Sequence, residues 1–155
     1  MDSAVVAETL EAIGASALSL AAELRRVADP GRAGADVLPY NLESLQDEAD
    51  PLGDLADACL DGLAGVARME ARLAAVKVNL AAGFAAAEAA LAAPDASRSE
   101  RDVLQMSVTA EVAGALTVSE GSAARFLEES ARLSGDLPLT LAALGAGTIS
   151  WQHVR

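Results

Sequence analysis

The spacing of apolar and small residues constrains this chain most, because these residues recur at alternating steps of four and three along two long stretches. Such spacing places them on one face of an α-helix. The first stretch ends at Asp29-Pro30-Gly31, a combination that stops a helix. Its apolar face is formed by Val6, Leu10, Ile13, Ala17, Leu20, Leu24 and Val27.

The second stretch is longer and begins at Asp50-Pro51, which resembles a helix N-cap followed by proline at the first helical position. The pattern ends at Pro94, so an unbroken helix would be roughly 60 Å long at about 1.5 Å per residue. Its glycines are predicted to mark bends or close helix crossings. The face is formed by Leu55, Cys59, Gly62, Val66, Met69, Leu73, Val76, Leu80, Gly83, Ala87 and Ala90.

Two arrangements would bury these faces. The two stretches can pack on each other as an intramolecular helical hairpin, or the second stretch can dimerise as a coiled coil. For the dimer, we expect the seam to consist of Met69, Leu73, Val76 and Leu80. Cys59 lies on the same face and is predicted to be a small buried residue.

Composition supports an all-α fold. Residues are 52% hydrophobic but only 3% aromatic, and much of the apolar content is alanine, which is the best helix former. Because alanine buries little area, the core must come from many close helix contacts. We predict a long helical hairpin or coiled-coil-like arm with an acidic loop over residues 1–94, and a cluster of short helices over residues 95–155.

The C-terminal third carries short helical signals. A polar stretch over 94–101 is predicted to be a hinge or boundary. Serine N-caps, glycine stops and one Leu-Pro start predict four helices after it. These run from Ser107 to Leu116, from Glu120 to about Leu133, from Leu137 to about Leu144, and onward from Ser150.

The segment Glu111–Leu127 has the spacing of a helix-turn-helix motif. Val118 would fill the turn, and the inward residues would be Val112, Ala113, Leu116, Ala123, Phe126 and Leu127. A DNA-reading motif inserts its second helix into the major groove, and the DNA contacts would then be Ser122, Arg125 and Arg132. Glu128 and Glu129 lie beside these residues and would repel phosphate. A helical corner in a bundle explains the same spacing.

Charge bears on the partners. The net charge of −12 repels a phosphate backbone, so DNA is only weakly expected. The acidic run between residues 36 and 61 fits a solvated helix face or a surface for a basic partner, and its spacing predicts no metal site. It consists of Asp36, Glu43, Asp47, Glu48, Asp50, Asp54, Asp57 and Asp61.

The cellular compartment can be predicted from the number of cysteines, the N-terminus and the longest apolar run. One cysteine excludes an internal disulfide and fits the cytoplasm. The N-terminus lacks the basic region of a signal peptide. Lys77 and Glu88 interrupt the alanine-rich run over 73–93, so no membrane span is predicted. The bias toward arginine and alanine is typical of a bacterial protein from GC-rich DNA.

Four motifs in order give the chain a family resemblance. They are Ser107–Leu116, Val118–Ala123, Leu137–Leu144 with its Leu-Pro-x-Thr, and Gly147–His153 with its Ile-Ser-x-x-His. In this order they resemble the DUF222 family, a domain of unknown function also called the thirteen-E-twelve repeat family. Glu70–Lys77 is similar to the helix that often precedes them, so the resemblance covers roughly residues 65–155.

The resemblance implies a helical module associated with an HNH nuclease, because family members often end in such a domain. An HNH site needs several histidines around a divalent metal, whereas this chain has His153 alone. We therefore predict no enzyme activity, no catalytic residue and no cofactor, and we expect the C-terminus to be truncated. The predicted function is a non-catalytic helical module of an HNH-endonuclease-like protein, DNA-associated or oligomerising. The alternatives are a stand-alone interaction or dimerisation protein with an acidic partner-binding face, and a helix-turn-helix DNA-binding protein.

Overall fold

The computed structural model describes residues 3–28 and 51–154, which are helical throughout apart from short connections, with no strand among them. The predicted all-α fold class is confirmed. The predicted acidic loop and the cap at Asp50 lie outside the described residues. In the described part the helices are α1 (Ser3–Ala28), α2 (Pro51–Leu91), α3 (Arg98–Leu116), α4 (Glu120–Gly135), α5 (Pro138–Ala146) and α6 (Trp151–Val154).

Helices α1 and α2 form the predicted hairpin. Leu24 packs over Gly62, and a Cβ atom placed on Gly65 would lie 3.2 Å from Leu20 Cδ2, so these glycines mark a close crossing as predicted. At the other end of α1, Val6 and Val76 line the same cavity. The two helices are therefore antiparallel.

The buried face of α1 is rotated from the predicted one. Ile13 is buried and Leu20 is half-buried as predicted, but Leu10 and Leu24 are exposed. Thr9 and Ser16 turn toward α2 instead. Their hydroxyls donate to the carbonyl oxygens of residues four positions earlier, at 2.7 and 2.8 Å. Because these polar atoms are satisfied within the helix, the two residues pack inward at little cost.

The middle of α2 is the element on which the C-terminal helices pack, and alanine makes this possible. Ala71, Ala74 and Ala75 pack with Leu144 of α5, and these four residues are buried. Farther along, Ala81 belongs to a second buried cluster with Val108, Val112, Ala113, Ala123 and Leu127. Both buried clusters thus contain residues from before and after residue 94, the position of the predicted division.

Helix α3 begins earlier than predicted, at Arg98 rather than Ser107. Ser97 and Glu100 form a capping box, with the Ser97 backbone N–H donating to Glu100 Oε2 at 2.7 Å. This hydrogen bond stabilises the carboxylate and lowers the pKa of Glu100. The predicted boundary at 94–101 is thus only a short connection. The Ser-x-x-Glu spacing was the signal that could have located this helix start.

The later turns follow the predicted positions. Thr117 ends α3 in the left-handed conformation, with φ 53°, and the Ser119 side chain caps α4. Gly147 ends α5 with φ 76°. Val118, predicted to fill the turn, is exposed instead, because its side chain lies at the edge of a groove beside α2.

We expect Gly147→Ala to lower the free energy of unfolding by about 1–3 kcal/mol, the cost of holding a residue other than glycine in a left-handed conformation. A Cβ atom there would also lie 3.1 Å from the Arg68 carbonyl oxygen. Urea unfolding followed by circular dichroism measures the change. Gly114→Ala is the matched control, because its Cβ would meet nothing within 4 Å, and it should stabilise α3 by up to about 1 kcal/mol. Equal changes in the free energy of unfolding for the two variants would contradict the left-handed conformation of Gly147.

Candidate functional site: the open side of α2

A groove lies between α2 and the helices α3 and α4. It consists of two adjoining cavities of about 570 and 360 Å³ that share Lys77, Leu116 and Phe126. We call this feature the α2 groove. Its floor and walls come from helices far apart in sequence, so the packing of α3 and α4 on α2 determines its shape.

The two halves of the α2 groove differ in chemistry. The larger half has charged side chains of both signs and is lined by Glu70, Leu73, Ala74, Lys77, Leu116, Val118, Ser122, Arg125, Phe126, Glu129 and Trp151. In the smaller half the lining is mostly apolar and includes Leu80, Phe84 and Ala115. Trp151 packs edge-on against Phe126, with ring centroids 5.8 Å apart. Such a lining favours an amphipathic ligand.

An exposed apolar row continues from the groove along α2. Leu55, Val66, Leu73 and Leu80 are 47, 43, 40 and 45% exposed. At about 100° per residue they lie within roughly 60° of the helix circumference. Leu24 of α1 covers Gly62 on this side of α2, but the four larger side chains stay partly exposed. The prediction that Cys59 is buried is wrong for the same reason, since it lies on this row and is exposed.

The four residues of the predicted dimer seam divide between two sides of α2. Met69 lines a cavity shared with α1, and Val76 is buried beside the other end of α1. Leu73 and Leu80 line the α2 groove. The hairpin thus already uses half of the predicted seam, and dimerisation through the seam stays a prediction.

The three predicted DNA contacts share one face of α4. Ser122 and Arg125 line the α2 groove, opposite Glu70 and Lys77 of α2, whereas Arg132 lies farther along α4 and is exposed. Arg125 Nε donates to the Gly121 carbonyl oxygen at 3.3 Å, and the Ser122 and Ser119 hydroxyls are 2.9 Å apart. With α2 as the opposite wall, the start of α4 does not project as a groove-reading helix must.

Acidic residues in the described part of the chain form no metal-binding cluster. Asp54, Asp57 and Asp61 of the predicted acidic run are exposed on one face of α2. Asp61 lines a cavity with Arg68 and Arg72, so arginines lie beside part of this face. The run's other five members lie outside the described residues.

His153 is the third residue of the short α6. Its Nδ1 is 2.8 Å from Ser150 Oγ, and its backbone N–H donates to the Ser150 carbonyl oxygen. The two residues are thus joined by one contact between their side chains and one backbone hydrogen bond.

Two of the helices have the length and apolar character of membrane spans. Residues 4–26 of α1 and 52–91 of α2 meet that criterion. Core helices of soluble proteins share these properties, and the α2 window is partly buried by its neighbours. The predictions of a cytoplasmic protein and of no membrane span therefore stay predictions.

Several groove residues were not among the predicted site residues. Glu70 and Lys77 lie in the α2 groove beside Leu73, and Phe84 lies at its apolar end. One signal was present in the sequence: each follows the last by seven residues, which returns them to nearly the same side of a helix. Polar residues among apolar ones at this spacing often set the register of a helix pair.

We expect the chain to bind a random-sequence DNA duplex weakly, and equally before and after Arg125→Glu, because Arg125 faces α2 and lies beside Glu129. Titration at about 50 and 200 mM salt measures the binding and its salt dependence. Arg98→Glu, on the exposed start of α3, is the control. Salt-sensitive binding that Arg125→Glu abolishes and Arg98→Glu preserves would establish α4 as a DNA reader.

Comparison with known proteins gives one match. The family model described as "Domain of unknown function (DUF222)" matches residues 46–155, about 20 residues more at the N-terminal side than the sequence motifs indicated. No curated protein and no solved structure matches the chain. The matched range contains all of α2 and every described helix after it, and thus the whole α2 groove. The chain belongs to the DUF222 family.

Proposed function

We propose that this chain is a non-catalytic helical interaction module that binds an amphipathic helix of a protein partner in the α2 groove. In HNH-endonuclease-like members of the family, such a module would position the protein that carries the nuclease. The observation that carries the proposal is the half-exposed row of Leu55, Val66, Leu73 and Leu80, which is continuous with the groove.

The chemistry of the α2 groove supports a helical ligand. The exposed row on α2 recurs at steps of seven and eleven residues, which keeps it on one side of the helix, and another helix covers such a surface in helix-in-groove recognition. A contiguous apolar surface exposed on a folded protein commonly marks an interaction site. The charges at the polar end, among them Glu70, Lys77 and Arg125, would orient the bound helix by pairing with its flanking residues.

Binding explains the groove residues better than catalysis does. The polar side chains of the groove carry carboxylate, amino and guanidinium groups, and one of them is a serine. The hydroxyl of this serine, Ser122, lies against that of Ser119. A nucleophile needs an adjacent base that a third group orients. His153, the chain's single histidine, contacts Ser150 outside the groove lining.

A photo-crosslinking amino acid at Ala115 tests the proposal in cells. Ala115 is exposed on the apolar wall of the groove, so we expect it to capture a protein segment whose apolar residues recur at steps of three and four. Mass spectrometry of the adduct identifies the segment. Leu80→Glu should abolish the adduct, because the charge would lie where the apolar face of the ligand packs.

The matched control carries the same crosslinker at Leu139, which is highly exposed on α5 and outside the groove lining. The proposal fails if Ala115 yields no more adduct than Leu139, or if the captured molecule is nucleic acid.

A further inference from the structure

We infer that the helix bound on the open side of α2 is α2 of a second copy of this chain, paired antiparallel about a twofold axis at Leu73. The inference rests on the proposed function and names the partner for the same groove. Three features of the described residues carry it: the symmetry of the apolar row, the symmetry of two charges, and the size of the surface.

The apolar row is symmetric about Leu73. Val66, Leu73 and Leu80 are spaced seven residues apart and are exposed to nearly the same extent. A twofold axis at Leu73 places Leu73 against Leu73 of the second copy, and Val66 against its Leu80. A twofold interface requires such self-complementarity, because each contact must occur twice with the roles exchanged.

Two charges are symmetric about nearly the same point. Glu70 and Lys77 lie on the same side of α2, and their midpoint is half a residue from Leu73, an offset of about 0.75 Å. Antiparallel pairing would bring Glu70 of each copy beside Lys77 of the other. Neither residue forms an ion pair with another described residue of its own chain, so both side chains are available for this contact.

The ends of the pairing match as well. The same axis places Leu63, which is largely exposed on the N-terminal half of α2, within one residue of the position opposite Phe84 at the apolar end of the groove. The N-terminal half of α2, which has α1 on one side, would thus cover the groove of the second copy. Each copy thus supplies both a groove and a covering helix, as a twofold pairing requires.

The surface reaches the lower end of the size range of specific dimer interfaces. From Leu55 to Leu80, α2 extends about 38 Å. Helix α1 adds about 21 Å between Leu10 and Leu24, two residues that are half-exposed. With helices about 10 Å wide, the face covers roughly 600 Å² on each copy. Two copies would together bury about 1,200 Å², and specific interfaces bury about 1,200–2,000 Å² in total. Two hairpins joined in this way form a four-helix arrangement.

Sedimentation equilibrium of the purified full chain tests the inference. We expect a mass twice the chain's 15.7 kDa at micromolar concentration, and Leu73→Glu should raise the dissociation constant at least about tenfold, since two glutamates would meet at the axis. Leu139→Glu, at a highly exposed position on α5, should leave it unchanged. Circular dichroism verifies that each variant keeps its helices.

A mixing experiment tests the antiparallel register directly. Glu70→Lys alone, or Lys77→Glu alone, places like charges opposite each other twice in a homodimer and should weaken it about tenfold or more. Mixing the two single variants restores both opposite-charge contacts, so a heterodimer should form with wild-type strength. Compensation within one chain cannot produce this rescue, because neither chain carries both substitutions.

The outcomes separate this inference from the proposed function. A monomeric wild type at high concentration, or a dimer that Leu73→Glu and the charge variants leave intact, overturns the twofold pairing. If the crosslinker at Ala115 then captures a different protein, the groove is a helix-binding site with another occupant. Absence of any protein adduct overturns the proposed function too. Self-capture together with heterodimer rescue supports both.

Discussion

Close packing around the small residues of α2 is the constraint on which the rest of the structure depends. Ala71, Ala74 and Ala75 allow α5 to approach α2 on one side, while Gly62 and Gly65 allow α1 to approach on another. Larger side chains at these positions would separate the helices and open voids that cost stability. The positions of α3, α4 and α6, and hence the walls of the α2 groove, follow from this packing.

The same packing explains why one side of α2 stays open. Gly62 and Gly65 of α2 contact α1, and Ala71, Ala74 and Ala75 pack with α5, whereas the larger side chains of Leu55, Val66, Leu73 and Leu80 project into the remaining sector. Most contacts within the chain thus use alanine and glycine, together with the buried Val76 and Val78, while these four larger residues stay partly exposed. A helix with neighbours on two sides and large apolar residues on a third has the residue distribution of a bundle that lacks one member.

Periodicity predicted the helices and the hairpin because burial of an apolar face is a local requirement. Periodicity did not predict which residues of each apolar face contact the neighbouring helix. On α1, Thr9 and Ser16 pack inward, because their hydroxyls form hydrogen bonds within the helix. A prediction from apolar residues alone places these two polar residues on the outside. Serine N-caps located α4, since the signal spans four residues. The α2 groove could not be predicted from the sequence, because its lining residues come together only in the folded chain. They include Lys77, Leu116, Phe126 and Trp151.

Trp151 gives the protein an optical property of its own. It is the single tryptophan of the chain, it lines the polar end of the α2 groove, and it rests against Phe126. An indole that is half-buried emits at a wavelength that depends on the water around it. Any molecule that displaces water from the groove would therefore change the intrinsic fluorescence of the unlabelled protein, so the occupied and empty states carry different spectra without an added dye.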